Sequence, residues 1–597
     1  MQKYRHHLQL FLMLFGICFT SATADTLFHF ISRRGDRLYD GDKEFRFVSF
    51  NVPNLHLIED DFSFTHTNNW VLPTSFEIRD AMESVMDAGG TVIRQYCLRI
   101  QRNGEPPFMP KHVPAWRTYF EPAFLVMDTV LALANEYGIR LIIPFLEGPP
   151  WWGPKKQFAR LRDGIHRFEG SSVEDDYRHL VGYVLNRRNT VTGVQYKDDK
   201  TILCWETGNE MHTSSRWLRE MTNYIKSIDG NHLVIDGNYG VRTAALDDPN
   251  TDIVSNHFYK KGAGGITRDL KKTNGKKVYI VGEWGWSKEK AEEVLQRTVH
   301  STAAGGLIWS LRFRYRTGGF TWHKGEGLHW PGGFLREELD DEREILAAVR
   351  KSAFSIRGLS PPPHTVPKAP KLLPIEQPPL ISWQGSAGAL FYHIERADAP
   401  EGPWKTVGDS IDETVVAFRP LFCDTTAVVA NNYYYRVYAH GPGGTSFASN
   451  SVGPVTVSTY TLVDEYLSHQ IKYARLKGTK FTDEKPWRFK YDFHRRSGSS
   501  GDFIEYHLNG NVSEVRIYAF FPKKTRNFGI SLSDTGTIFI PQSVHVQLYP
   551  YCCADPRDRL RLPALFSTTV KNENYRKVRI YFPRGRAQIG RCEIDYR

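Results

Sequence analysis

Residues 201–211 read TILCWETGNEM: an unbroken apolar run leads to Glu206, and Asn209-Glu210 follow a short turn. A run that is apolar at every position, rather than at alternate ones, reads as a strand buried on both faces, as in a parallel sheet. A carboxyl just beyond the end of such a strand stands at the mouth of a barrel, where a ligand can reach it. Residues 277–286, KVYIVGEWGW, repeat the plan, with an apolar strand ending in Glu283 between glycine and tryptophan.

Working outward, the runs Phe45 to Asn51, Thr91 to Tyr96, Arg140 to Glu147, His232 to Asp236, Asp252 to His257 and Gly306 to Leu311 are further strand candidates. With Thr201 to Glu206 and Val278 to Glu283 they make eight. Between them, Ser75 to Ala88, Phe120 to Tyr137, Val173 to Asn186 and Ser215 to Ile228 carry apolar residues at three- and four-residue intervals, the helical period. Strand alternating with helix over residues 25–358 predicts a closed (β/α)8 barrel, a TIM barrel. Asn209-Glu210 and Glu283 then end its fourth and seventh strands, on opposite sides of the mouth.

Residues 359–379 are proline-rich, which excludes helix and central strand and predicts an extended, semi-rigid linker. Beyond it, residues 380–457 and 458–597 read as short alternating strands with turn signals such as Gly441-Pro442-Gly443-Gly444, two all-β domains. Trp383, the run LFYHIER (390–396) and the run NNYYYRVYA (431–439) resemble a fibronectin type III domain, an immunoglobulin-like sandwich. The runs EVRIYAF (514–520), VHVQL (544–548) and KVRIYF (577–582) resemble those of a jelly-roll carbohydrate-binding module.

The 597 residues are 41% hydrophobic and 24% charged, an ordinary globular composition that excludes wholesale disorder. The N-terminus reads as an export signal over residues 1–24: basic Lys3 and Arg5, an apolar run from Leu8 to Phe19, and Ala22-Thr23-Ala24 as cleavage pattern. Ile17 disfavours a lipoprotein reading at Cys18. No run is long and apolar enough to span a bilayer, so the expectation is a secreted protein, periplasmic in a Gram-negative host, with no membrane span. Of seven cysteines, Cys97 and Cys204 fall in apolar runs and read as buried free thiols, while Cys592 is a candidate to bridge Cys552 or Cys553. No Cys/His spacing suggests zinc, and no metal or organic cofactor is expected.

The net charge of +11 is concentrated at one end. Residues 461–597 hold 24 Lys or Arg against 14 Asp or Glu. Such a surplus suits contact with an acidic polymer or wall. A cluster such as Lys523-Lys524-Thr525-Arg526 reads equally as a solvated sheet face. Nucleic acid is not expected as a partner of an exported chain.

Two carboxyls facing each other across about 5–5.5 Å are what a retaining glycosidase needs, one to protonate the leaving oxygen and one to attack the anomeric carbon. The NE at strand four and EWG at strand seven resemble glycoside hydrolase family 5, from about Leu27 to Leu359. Residues 185–210, LNRRNTVTGVQYKDDKTILCWETGNE, are similar to the corresponding segment of its endo-β-1,4-mannanases. The resemblance implies Glu210 as acid/base, its pKa raised by a negative partner, Glu283 as nucleophile, and Asn209 as the residue bonding the sugar 2-hydroxyl. It further implies Arg94 as the arginine that keeps the nucleophile charged, Tyr259 as its hydrogen-bond donor, His257 as a lining residue, and Trp309 as the platform under the sugar ring.

Met211 stands where that family often has proline and Trp284 where it often has phenylalanine; neither removes a reacting group. The loop Gly148-Pro149-Pro150-Trp151-Trp152-Gly153 is aromatic enough to join a sugar cleft. Glu147 and Glu206 also end strands, and their expected task is to bond neighbouring loops or the arginine. The expected partner is a β-mannan. The alternatives are a cellulase or β-glucanase, an exo-β-mannosidase, and a catalytically silent carbohydrate-binding protein.

Overall fold

A computed structural model describes residues 27–597 apart from 60–69, 103–104, 106, 163–164, 166, 260–261, 286–287, 322–326, 333–339, 377, 416–419, 468–470, 490–491, 523–524, 549–560 and 572–573. The expected export signal, Trp286, the Lys523-Lys524 pair and Cys552-Cys553 lie outside the described residues.

Eight parallel strands close into a barrel: β1 (Phe47–Asn51), β2 (Val92–Arg94), β3 (Arg140–Pro144), β4 (Ile202–Glu206), β5 (Leu233–Ile235), β6 (Ile253–Phe258), β7 (Val278–Trp284) and β8 (Gly305–Ile308). Gly305 pairs with Phe47 and Ile308 with Phe50, which joins β8 back to β1. All eight predicted strands are present, with β2, β3 and β8 shorter at their C-terminal ends. There the chain leaves the ladder to build loops, so Tyr96, Glu147 and Trp309 follow their strands instead of lying in them.

The four predicted helices form at Ser75–Asp87, Glu121–Glu136, Val173–Asn186 and Ser215–Ile228. Their starts have local causes. Thr74 and Glu77 make a reciprocal capping box, Pro122 occupies the first turn where its missing N–H costs nothing, and the Ser214 side chain accepts from the Trp217 N–H. An N-terminal three-stranded sheet, Ile31–Arg34, Arg37–Asp40 and Lys43–Phe45, seals the barrel floor. Its Ile31 and Leu38 pack with Phe47, Ile142, Leu203 and Ile280, leaving the C-terminal mouth as the open end.

The linker expectation needs correction. Lys371–Leu372 is a strand paired with Trp383–Gln384, and Leu372 is buried in the core of the following domain. Proline's extended backbone suits an edge strand as well as a spacer. Upstream of that strand the segment touches the barrel: the Arg350 guanidinium donates to the Pro362 carbonyl at 2.6 Å, and Lys368 pairs with Glu83 at 2.5 Å.

Residues 380–457 form a β domain around fully buried Trp383, Tyr392, Tyr435 and Val437, with a five-stranded sheet that includes Phe391–Ala397 and Asn432–Gly441. The C-terminal part pairs a seven-stranded with a five-stranded sheet over a core of Ile504, Ile517, Phe566 and Ile580. Cys97, Cys204 and Cys592 are buried free thiols and Cys423 a half-buried one; Cys592 sits in that last core, and its candidate partners are outside the described residues. Among the described residues no helix is long and apolar enough to cross a membrane.

Barrel and first β domain meet at Arg314, in the chain after β8. Its guanidinium is fully buried, pairs with Glu413 at 2.6 Å and Asp80 at 3.3 Å, and donates to the Ala389 carbonyl at 3.1 Å.

Candidate active site

The loop after β4 is shaped by close backbone contacts. Gly208 lies at φ +152°, and a Cβ there would stand 2.5 Å from the Leu146 carbonyl oxygen, so glycine is required. The Asn209 N–H donates to the Leu146 carbonyl at 2.7 Å and the Met211 N–H to the Gly237 carbonyl at 2.9 Å. A proline at 211 could not make that second bond. Between them Glu210 takes φ +49°, a left-handed conformation that a non-glycine residue adopts at a cost and that recurs at functional sites.

At the centre of the mouth stands Arg94, at the end of β2, with 1% of its surface exposed. It grips Glu206 with two bonds, Nε to Oε2 at 2.7 Å and Nη2 to Oε1 at 3.0 Å. Nη1 donates to Glu283 Oε1 at 2.8 Å and to Asn51 Oδ1 at 3.1 Å, and Nη2 also donates to Asn209 Oδ1 at 2.9 Å. Burial acts to lower the guanidinium's pKa, and the Glu206 and Glu283 carboxylates outweigh it and raise the value well above the ordinary one. The other oxygen of Glu283 accepts from the Tyr259 hydroxyl. Of the predicted site residues, Arg94, Asn209, Tyr259 and Glu283 are therefore joined in one hydrogen-bonded cluster, and Glu206 bonds the arginine as its position suggested.

Glu210 faces Glu283 across His257. The His257 Nδ1 lies 2.7 Å from Glu210 Oε1 and 3.5 Å from Glu283 Oε2. One oxygen of each glutamate and a ring nitrogen of His257 lie within 4.8 Å of one another. Two carboxylates and an imidazole are also a donor set for a divalent cation. Here, however, Arg94 and Tyr259 occupy both oxygens of Glu283, and a guanidinium 2.8 Å away opposes a second cation. The set reads as a proton-sharing group.

The pKa expectation for Glu210 is overturned. Burial pushes its carboxyl up, but the hydrogen bond from His257, with the charges of His257, Arg94 and His212, outweighs burial and holds it below the ordinary value. Sequence supplied the negative partner and could not supply the imidazole's distance. His257 accordingly does more than line the cleft, since it touches both carboxyls.

Trp309 is 5% exposed and packs edge-on against Tyr96 and Trp151, with ring centroids 5.6 Å and 5.8 Å away. Trp309 thus belongs to a packed aromatic group of three, to which the loop after β3 contributes Trp151. Glu147 pins that loop: its Oε1 accepts the backbone N–H groups of Trp151 at 3.0 Å, Gly153 at 2.7 Å and Trp152. Its Oε2 accepts the Tyr96 hydroxyl at 3.0 Å. Burial pushes Glu147 up to about 7 against these four donors. Sequence reading did not find Tyr96 or Asn51 as site residues; their positions at or just past the ends of β2 and β1 were the available signal.

A family model described as "GH family 5 beta-mannosidase-like" matches residues 149–293. Mannan endo-1,4-beta-mannosidase 5 of Solanum lycopersicum is 27% identical over 247 residues, 36% of this chain and 58% of its own length. Mannan endo-1,4-beta-mannosidase 1 of Arabidopsis thaliana is 37% identical over 137 residues, 21% of this chain and 33% of its own. A solved glycoside hydrolase family 5 mannosidase of Rhizomucor miehei, a mutant form in complex with mannosyl-fructose, aligns with a TM-score of 0.46 at 15% identity, covering 56% of this chain and 100% of that one. The chain thus spans a little over half the length of the tomato relative it matches. Asn209, Glu210, His257, Tyr259 and Glu283 all lie in the stretch that this family model matches.

Proposed function

We propose that this chain is an exported retaining glycoside hydrolase that cleaves β-1,4 links of a mannan-type polysaccharide by double displacement. The observation that carries the reaction is the carboxyl pair with oxygens within 4.8 Å, one member held by Arg94 and Tyr259. That separation suits direct attack and leaves too little room for the water an inverting enzyme places between substrate and base.

In this reading Glu283 attacks the anomeric carbon as the glycosidic bond breaks, and Glu210 gives its proton to the departing oxygen. Glu210, now a carboxylate, takes a proton from water, whose oxygen displaces Glu283 from the covalent glycosyl-enzyme and restores both groups. Arg94 pairs with Glu283 and holds it in place, and Asn209 meets the hydroxyl beside the reacting carbon. The Glu210 side chain is 23% exposed; a sugar chain that expels water from it adds to the burial that already favours its protonated form.

The sugar class rests on the relatives' names. We further read residues 380–457 as fibronectin type III-like, with Trp383 at its core, and the basic C-terminal pair of sheets as a jelly-roll carbohydrate-binding module that keeps the enzyme on polysaccharide. Reducing-sugar release from β-mannan, glucomannan, galactomannan, cellulose, mixed-linkage glucan and xylan tests the proposal, with Glu283→Ala alongside. Mannan activity lost in the variant supports it. Preference for a glucan replaces the substrate, and silence on all six sugars sinks the reaction.

A further inference from the structure

Asn209 touches Arg94 on one side and Tyr96 on the other, and which end of its amide faces which neighbour decides what it offers a ligand. Arg94 can only donate, so the atom 2.9 Å from its Nη2 must be the amide oxygen. Nδ2 then lies 3.1 Å from the Tyr96 hydroxyl and donates to it. A hydroxyl that accepts there is free to send its own hydrogen onward, and it does, to Glu147 Oε2 at 3.0 Å. Above about pH 7, where Glu147 is a carboxylate, the chain of bonds runs one way, from a group that only donates to one that only accepts. One hydrogen on Nδ2 is left without an acceptor among the described residues.

Resting on the reaction proposed above, we infer that Glu147, acting through Tyr96, is a positioning residue that locks the Asn209 amide with its spare N–H turned to the sugar hydroxyl beside the reacting carbon. Glu147 is fully buried and already accepts three backbone amides, so it is rigidly placed. Glutamine at 147 keeps the shape and the oxygen that serves those amides, but presents an NH2 to Tyr96. The tyrosine hydroxyl then meets donors on both sides and its own hydrogen has no acceptor. Reversing Asn209 to relieve this would set its NH2 against the Arg94 guanidinium. The lock therefore needs the carboxylate, the hydroxyl and the arginine together.

The test uses the full chain with mannohexaose, measuring kcat and KM for the wild type, Glu147→Gln, Tyr96→Phe, Asn209→Ala and the two double variants with Asn209→Ala. Melting curves establish that each is folded; Tyr96→Phe, which removes a single oxygen, serves if Glu147→Gln is not. The inference expects kcat to fall about 10-fold or more in both single variants with KM within about threefold. In the Asn209→Ala background each should cost less than about threefold further, because all act through one amide. A merely structural anchor for the Trp151 loop would instead raise KM and add its loss to that of Asn209→Ala, and would overturn the inference. So would kcat within about twofold of wild type in both single variants. A silent wild type overturns the proposed reaction and this inference together, whereas an active wild type with unaffected variants overturns the inference alone.

Discussion

Arg94 and Arg314 are both fully buried, and each holds two carboxylates: Glu206 and Glu283 at the barrel mouth, Asp80 and Glu413 at the seam with the first β domain. Ion-pair chemistry alone does not tell them apart. Their surroundings do. Around Arg314 the partners are sealed, Glu413 and Tyr392 each fully buried and Asp80 4% exposed. Around Arg94 the second oxygen of Glu283 is offered to Tyr259, which is 40% exposed, and Glu210 opens to the same side. A buried pair is weak testimony for function; a buried pair whose carboxylate faces a second, partly exposed carboxyl and accepts from a partly exposed tyrosine is stronger testimony.

The sharpest way to break this contrast is at the carboxyls. Under the proposed mechanism Glu283→Ala should cut hydrolysis of mannan by about 10³-fold or more, since it removes the carboxylate that would attack. Glu210→Ala should cost a similar factor on polysaccharide, but far less on an aryl glycoside whose leaving group needs no proton. Equal losses on both substrates would take the acid role from Glu210.

Next come the arginines. Arg94→Lys loses the two-pronged grip on Glu206 and should lower kcat by about 10²-fold. Arg314→Met leaves Glu413 and Asp80 buried without their cation, a cost of about 3–5 kcal/mol for a broken buried pair, and should lower the first melting transition by several degrees. At temperatures below that transition its kcat should stay within about twofold of wild type. A large loss of kcat in the folded Arg314→Met protein would show that the seam reaches the cleft, and the contrast would fail.

The smallest expected effect is one of pH. With His257 present, Glu210 is held below its ordinary value, so its protonated, acid-competent form drains away as pH rises through that lowered value. His257→Phe removes the hydrogen bond and one of the charges, leaving burial, which acts upward, opposed only by the charges of Arg94 and His212. The alkaline limb of kcat/KM should therefore move to higher pH. A limb that stays put or moves down would mean that another group sets it.

Much of the fold was legible because barrel strands are continuous apolar runs and their helices have a clear period, which local residues alone determine. Val173–Asn186 and Ser215–Ile228 form over their predicted residues, and all eight strands are where the apolar runs lie. Composition misleads at the linker beyond Pro370, because proline content reports an extended backbone and not whether a neighbour pairs with it, as Trp383–Gln384 does with Lys371–Leu372.

At the site, the strand ends pointed to Asn209, Glu210 and Glu283, and the family resemblance added Arg94, His257 and Tyr259; the topology of a barrel delivers all strand ends to one rim. Sequence alone thus indicated most of the groups that meet, Asn51 and Tyr96 excepted. Only the tertiary structure decided how they act on one another: that His257 lies 2.7 Å from Glu210 and lowers its pKa, and that Tyr96 links Asn209 to Glu147. The physical reason is range. Periodicity and patterning are summed over many residues and survive small errors of position, whereas hydrogen bonds and pKa shifts change sign or vanish over an ångström, a distance set by packing among strands far apart in the chain.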